Sequence, residues 1–289
     1  MFNGFLNQIV QGILHGGLYA MFAVGLSLSV GVMRLINIAH GDFIVLASFV
    51  LFTLCTALGI SPFLAMLIIL PPAFVFGYLM QHVLLQKIVG SSNILPMILV
   101  TFGLSIIIEN GLLIGYGPNP RKLLAGDLQI ASLQLGGGVT VGLFPLITFG
   151  AAVALIFLLD LFLYRSRIGA KIRAVSDDVD AADLIGLSSK RIYAIAMGIV
   201  AMTIAISACF MGIRTNFDPS SGPTQLLTAF EVVVMGGLGS LWGTLFGGIM
   251  IGVAQAVGAQ IDLAWEVLAG HLLFLLVLVV RPQGLLPKE

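Results

Sequence analysis

Apolar residues run in long unbroken stretches along this chain, near 10–30, 41–59, 62–86, 94–115, 141–164, 191–213, 241–260 and 265–281. Each is close to the roughly 17–25 residues that carry a helix across a bilayer core. Polarity does not alternate within them, as it does in the strands of about ten residues that build a membrane barrel. The pattern predicts an all-α polytopic membrane protein, a bundle of eight full transmembrane helices forming one domain over 1–289. A ninth apolar piece, Leu226 to Leu238, is too short to cross alone as a helix and ends in GGLGS. It is either a re-entrant hairpin or a short broken crossing.

Composition agrees: with mean hydropathy +1.11 and 9% charged residues, a water-soluble globule would leave most of its surface unsolvated. The charges choose between the two forms of the ninth piece. If it crosses, all of the thirteen Lys and Arg except Arg121, Lys122 and Arg214 fall on one side; if it re-enters, Arg281 and Lys288 change sides and the bias weakens. We therefore expect a crossing, with the N-terminus outside and the C-terminus in the cytoplasm. The first nine residues hold no Lys or Arg and no cleavage pattern follows, so the first apolar run reads as a retained span. Cys55 and Cys209 lie inside apolar runs as small hydrophobes, and no metal-ligand spacing exists. Zero net charge, with no basic cluster among aromatics, excludes a nucleic-acid partner.

One stretch breaks the pattern. AVSDDVDAADLIGLSS, residues 174–189, holds four acids between two spans, on the cytoplasmic side of the predicted topology. Asp177 can cap a helix start, Asp178 and Asp180 suit its first turn, and Gly186 can stop it. Val175, Val179, Ala182 and Ile185 follow one helical face, with Asp177, Asp180 and Asp183 largely on the other. This predicts an amphipathic helix of about ten residues, roughly 15 Å long. It is either a solvated or membrane-surface segment, or a rod suited to a groove on another protein.

RSRIGAKIRAVSDDVDAADLIGLSSKRIYAIA (165–196) resembles the coupling loop of ABC-importer permeases, in which an acidic residue, two alanines and a glycine fall here on Asp180, Ala181, Ala182 and Gly186. With GGLYAMFAVGLSLSVGVMRLINIAHGDF (16–43), TAFEVVVMGGLGSLWGTLFGGIMIG (228–252) and RPQGLL (281–286), the chain as a whole resembles the LivH-type permeases of branched-chain amino acid importers. The resemblance implies a bundle related to the sugar and vitamin B12 importers, set in a bacterial inner membrane among lipid. It implies as partners a second, LivM-like permease, two cytoplasmic ATP-binding subunits and a periplasmic solute-binding protein. ATP and Mg would be bound by the ATP-binding partners, with no cofactor in this chain. It assigns coupling to Asp177, Asp178, Asp180, Ala181, Ala182, Asp183, Leu184 and Gly186 within a cytoplasmic loop over 165–190. No G-x-x-x-x-G-K-[ST] motif occurs, so this chain is expected to hydrolyse no ATP itself.

Gly243 with Gly247, and Gly248 with Gly252, have the small-xxx-small spacing that lets helix backbones approach in lipid. Gly236, Gly237 and Gly239 break a helix and leave backbone groups in need of partners, so protein or an aqueous cavity must lie beside them. Ionisable groups at membrane depth face the bundle interior or a pathway. This marks Glu109 with Asn110, and Glu231, as candidate pathway groups beside Gly236 and Gly237. Asn37, His40 and Asp42 are placed at the inner junction of the first two spans, either capping helix ends or lining the pathway. His15, His82 and His271 read as packing or interface residues, and Asp160 and Glu266 as near enough to span ends to reach water. No catalytic or metal set is visible, so the alternative is a stand-alone secondary transporter or channel for a small polar solute, against which stand the coupling-like helix and the lack of an acid–base relay. The longest external loop, 116–140, carries LQIASLQL as a potential hairpin, and a second loop, 214–224, is turn-rich; either is a potential docking point for a binding protein.

Overall fold

In a computed structural model of the chain, the described residues are 2–89, 95–134 and 140–286. Seven helices there are long and apolar enough to cross a membrane. They are α1 (Phe2–Met33), α2 (His40–Leu58), α3 (Pro62–Val83), α4 (Leu95–Tyr116), α5 (Leu143–Arg165), α8 (Ser189–Arg214) and α10 (Leu241–Ile261). The remaining apolar runs form α9 (Gly222–Gly236), of 15 residues, and α11 (Trp265–Val280), of 16. At 1.5 Å per residue α11 covers about 24 Å, a short span entered from a turn at Asp262. The predicted start of the fourth span at residue 94, and Lys288, lie outside the described residues.

α1 and α8 are the most deeply buried helices, and α3, α4 and α5 lie at the periphery. The glycines decide the central contacts. Gly12 and Gly16 of α1 pack backbone to backbone on Gly252 and Gly248, while Gly243 and Gly247 of the same α10 meet Gly236 and Val232 of α9. Both small-xxx-small pairs are thus used, on two different faces of α10. α3 joins α8 the same way, through Gly77 against Met197 and Gly198 against Phe74.

Two faces of the bundle can be told apart. On one, strands β1 (Ser132–Gln134) and β2 (Thr140–Gly142) pair antiparallel, with Leu133 opposite Val141. The first strand thus falls within LQIASLQL and the second beyond it; residues 126–129 form a 3-10 turn, and residues 135–139 lie outside the described residues. The loops that follow α4 and α8 join each other: Arg121 and Phe217 exchange backbone hydrogen bonds of 2.8 and 2.9 Å, and the Leu123 amide donates to Gly212. On the opposite face lie α6 (Arg167–Asp177), α7 (Val179–Leu184) and the C-terminal residues to 286.

The chain from Phe217 through α9 connects these faces, α9 itself beginning at the level of Asp42. The start of α9 follows the Arg121–Phe217 bridge, and the turn after it packs against Gly31 near the end of α1. Gly237 (φ 107°) and Gly239 (φ 82°) adopt backbone that favours glycine, ending α9 and starting α10, where Ser240 Oγ accepts from the Gly243 amide. The carbonyls freed by this break are met by protein. Leu285 and Leu286 donate to Met235 and Gly236 at 2.8 and 3.0 Å, so the RPQGLL tail closes the end of α9.

Candidate functional site

The polar stretch at 174–189 is two helices and not one. Ser166 caps α6 by accepting from the Gly169 amide. Asp177 closes α6, and Asp178, not Asp177, caps α7 by accepting from the Ala181 amide at 3.0 Å. The extended backbone of Asp178 (φ −148°, ψ 110°) breaks the expected single rod, and α7 is six residues, about 9 Å. The predicted apolar face divides accordingly: Val175 and Ala182 are buried, Val179 and Ile185 exposed. Gly186 ends α7 as expected, at φ +87°, while the Leu187 amide donates back to Ala182. Asp180 and Ala181 are exposed, and Leu184 and Ile185 at the tip of α7 are 88% and 77% exposed.

This element is tied to the two most buried helices. Ser176 Oγ donates to the Gly31 carbonyl of α1 at 2.6 Å. The Asp183 carboxylate accepts from the amide and hydroxyl of Ser189, at the first turn of α8, at 3.0 and 3.1 Å. Side chains just before α7 and within it are thus bonded to α1 and α8.

The second group of candidates lies deeper than the sequence suggested. Asn37, His40 and Asp42 are not at the inner junction of α1 and α2. After α1 ends at Met33, Arg34 turns through left-handed backbone (φ 50°) and the chain runs back along α1. Leu35 accepts from Ser29, and His40 Nε2 lies 2.8 Å from the Phe22 carbonyl oxygen, eleven residues before α1 ends and about 16 Å back along it. Asn37 Oδ1 accepts from the Ala39 amide, the local capping role allowed for it. Non-helical backbone at such depth survives only where protein surrounds it; α8 packs on both flanking helices, with Ser207 donating to Met21 and Ser48 of α2 donating to Ala208, and its Met197 and Ala201 share a cavity wall with Asn37.

The starts of α2 and α9 meet at this level. Gly41 leaves no room for a Cβ against the Gly222 carbonyl, nor Gly222 against Asp42 Oδ1. Asp42 is 2% exposed, its Oδ1 has no hydrogen-bond partner, and it interacts with Ser105 and Glu109 of α4. Two helix N-termini, each with a positive dipole end, thus converge on a buried carboxylate. Asn110 is exposed and donates to Ile106 of its own helix. Beside this cluster a cavity of about 240 Å³ opens between α2, α3 and α8, lined by Phe43, Phe76, Met80, Met197 and other apolar groups, with Asn37 on its wall.

Glu231 lies elsewhere, buried in α9, with Oε1 2.5 Å from His271 Nδ1 of α11. His271 is therefore half of an acid–base pair, which the sequence reading as packing missed; a carboxylate buried at mid-helix with a histidine forty residues on carried no spacing signal. His15 likewise meets Arg214 at 3.2 Å, and Tyr19 donates to Gln255 at 2.5 Å. Gly236 and Gly237 are packed on Gly243 and Gly284, closing the α9 turn. Among the described residues no group of three metal-ligating side chains exists.

A multi-pass helical bundle with polar groups gathered at mid-depth and a small polar helix held out on one face has the architecture of a membrane permease. A family profile described as "Branched-chain amino acid transport system / permease component" matches residues 8–280, and the chain belongs to that family. It is 30% identical over 298 residues to the permease protein BraD of a high-affinity branched-chain amino acid transport system in Pseudomonas aeruginosa, covering 98% of this chain and 96% of that one. LivH of Escherichia coli is 27% identical over 300 residues, with the same coverage, and LivM of the same organism is 25% identical over 292 residues, covering 93% of this chain and 68% of LivM. A solved structure, PsaBC from Streptococcus pneumoniae in complex with Fab, shares the fold at a TM-score of 0.51 and 12% identity, covering 98% of this chain and 97% of that one.

Proposed function

We propose that this permease component is one of two permeases in an ATP-driven importer of branched-chain or related hydrophobic amino acids. The second permease is LivM-like, a reading supported by the similarity of this chain to both LivH and LivM. Two ATP-binding subunits, carrying ATP and Mg, dock on the α6–α7 face, and a solute-binding protein docks on the hairpin face. The N-terminus is then periplasmic and the C-terminus cytoplasmic, in a bacterial inner membrane.

The observation that carries this reading is α7. A helix of six residues that ends on exposed Leu184 and Ile185, yet is bonded through Asp183 to α8 and follows α6, whose Ser176 is bonded to α1, is shaped for a groove on another protein. ATP-driven closure of the docked subunits moves α7, and α1 and α8 follow. The start of α2 and Asp42 then shift with them, since His40 is held on α1 and Ser48 on α8. The solute passes between the two permeases by alternating access, past Asn37, His40, Asp42, Glu109 and Asn110.

The test is reconstitution of the chain with its co-purifying partners and loaded binding protein, read as leucine uptake and ATP turnover. Replacing Leu184 and Ile185 together by Asp is expected to abolish both while the chain still inserts and pairs with its partner permease. Solute movement by the chain alone, without ATP, would overturn the reading in favour of a secondary carrier.

A further inference from the structure

A cavity of about 300 Å³ lies between α1, α5, α6 and the start of α10, on the α6–α7 side and apart from the Asp42 cluster. Its wall brings together Arg173 of α6 and Asp160 of α5, two charges of opposite sign that form no ion pair within 4.0 Å among the described residues. The Arg173 guanidinium lies 4.6 Å over the Tyr164 ring, and its Nε is buried without a hydrogen-bond partner. Ser27 and Ser240 add hydroxyls, and Leu28, Val32, Leu163, Ile172 and Leu241 form the apolar part of the wall. Trp242, 38% exposed, lies at the same cavity.

We propose that this cavity binds a free zwitterionic aliphatic amino acid, reaching it from the α6–α7 side. The carboxylate is held by Arg173 together with the first turn of α10, whose amide groups carry the positive end of a 21-residue helix. The ammonium group is held by Asp160, and the aliphatic side chain lies on Leu28, Val32 and Ile172. Opposite charges that share the wall of one cavity, and are not in contact, fit a ligand that carries both charges a few atoms apart. The volume stands at the small end of ligand pockets, roughly 300–1,000 Å³, which suits a molecule of amino-acid size. The choice of an aliphatic amino acid rests on the import reading given above, and under that reading the ligand is the imported solute acting from the product side. Bound there, it bridges α5 and α6 to α10 and restrains the element that Ser176 ties to α1, so accumulated product slows further import.

The test uses the full chain in nanodiscs, without binding protein or ATP. Trp265→Phe leaves Trp242 as the one tryptophan of the two in the sequence. L-leucine is expected to change Trp242 fluorescence saturably. Isoamylamine, which lacks the carboxylate, and 4-methylpentanoate, which lacks the ammonium group, are expected to give no comparable change. Asp160→Asn and Arg173→Lys should each weaken leucine binding about tenfold or more, with unchanged elution on size exclusion as the folding control. In proteoliposomes carrying the whole importer, leucine preloaded on the α6–α7 side should lower initial uptake, and Asp160→Asn should relieve this.

Absence of a leucine response overturns the site, even where the reconstituted importer takes up leucine normally. So does an equal response to either single-charge analogue, or a response to phosphoethanolamine in place of leucine, which would make this a lipid headgroup site. A leucine response lost in both variants, from a chain whose importer takes up no leucine, supports the site and removes the import reading instead.

Discussion

Asp42 poses the sharpest question at the scale of single residues, because its Oδ1 is buried with no hydrogen-bond partner. A buried carboxylate with one oxygen left unpartnered inside a membrane protein costs stability, and an amide of the same shape costs less. Asp42→Asn is therefore expected to raise the melting temperature by a few degrees, on the order of 1 kcal/mol, while leucine uptake falls at least roughly tenfold. A lower melting temperature would show instead that the carboxylate holds the start of α9 in place. Gly41→Ala tests the neighbouring contact, since its methyl group has no space against Gly222. Overpacking of this kind costs about 1–3 kcal/mol, which thermal melting of the purified chain would register.

At the scale of elements, α9 depends on a segment far away in sequence. Truncation after Gln283 removes the amides that Leu285 and Leu286 give to Met235 and Gly236. Each buried carbonyl left alone costs about 1–3 kcal/mol, so a lower melting temperature and faster proteolysis at the 237–240 turn are expected; an unchanged protease pattern would show that the glycine turn holds α9 unaided. The elements were legible in the sequence to different degrees. Eight apolar runs became helices because span length and hydropathy are local properties, although α1 begins eight residues before its predicted limit and α11, at 16 residues, is shorter than the full span expected. The short ninth piece was legible for the same reason, together with GGLGS. The division of 174–189 into α6 and α7 was not, because it depends on the extended backbone at Asp178 and on the contacts of Ser176 and Asp183 with other helices. The depth of Asn37, His40 and Asp42 was hidden too: a six-residue connection reads the same whether it skirts the surface or turns back along α1.

At the scale of the whole molecule, the periphery is informative. α4 presents Asn110 to the outside and Glu109 partly so, whereas its Thr101 and Ser105 are buried. Polar groups at this depth avoid lipid, so this side is expected to face the second permease or the pathway between the two. A cysteine in place of Asn110 should then cross-link to the partner permease in the assembled importer, and labelling by a lipid-phase reagent in its place would count against that arrangement. The backward run of residues 34–39 also bears on how the molecule is made. Much of what encloses α2 comes from Ala208 of α8 and, at its start, Gly222 of α9, synthesised some 170 residues later. During synthesis α1 and α2 therefore emerge as a pair whose connecting strand has few of its final neighbours. α2 would at first sit shallower and then sink along α1 once α8 arrives, making the polar centre of this permease among the last parts to mature.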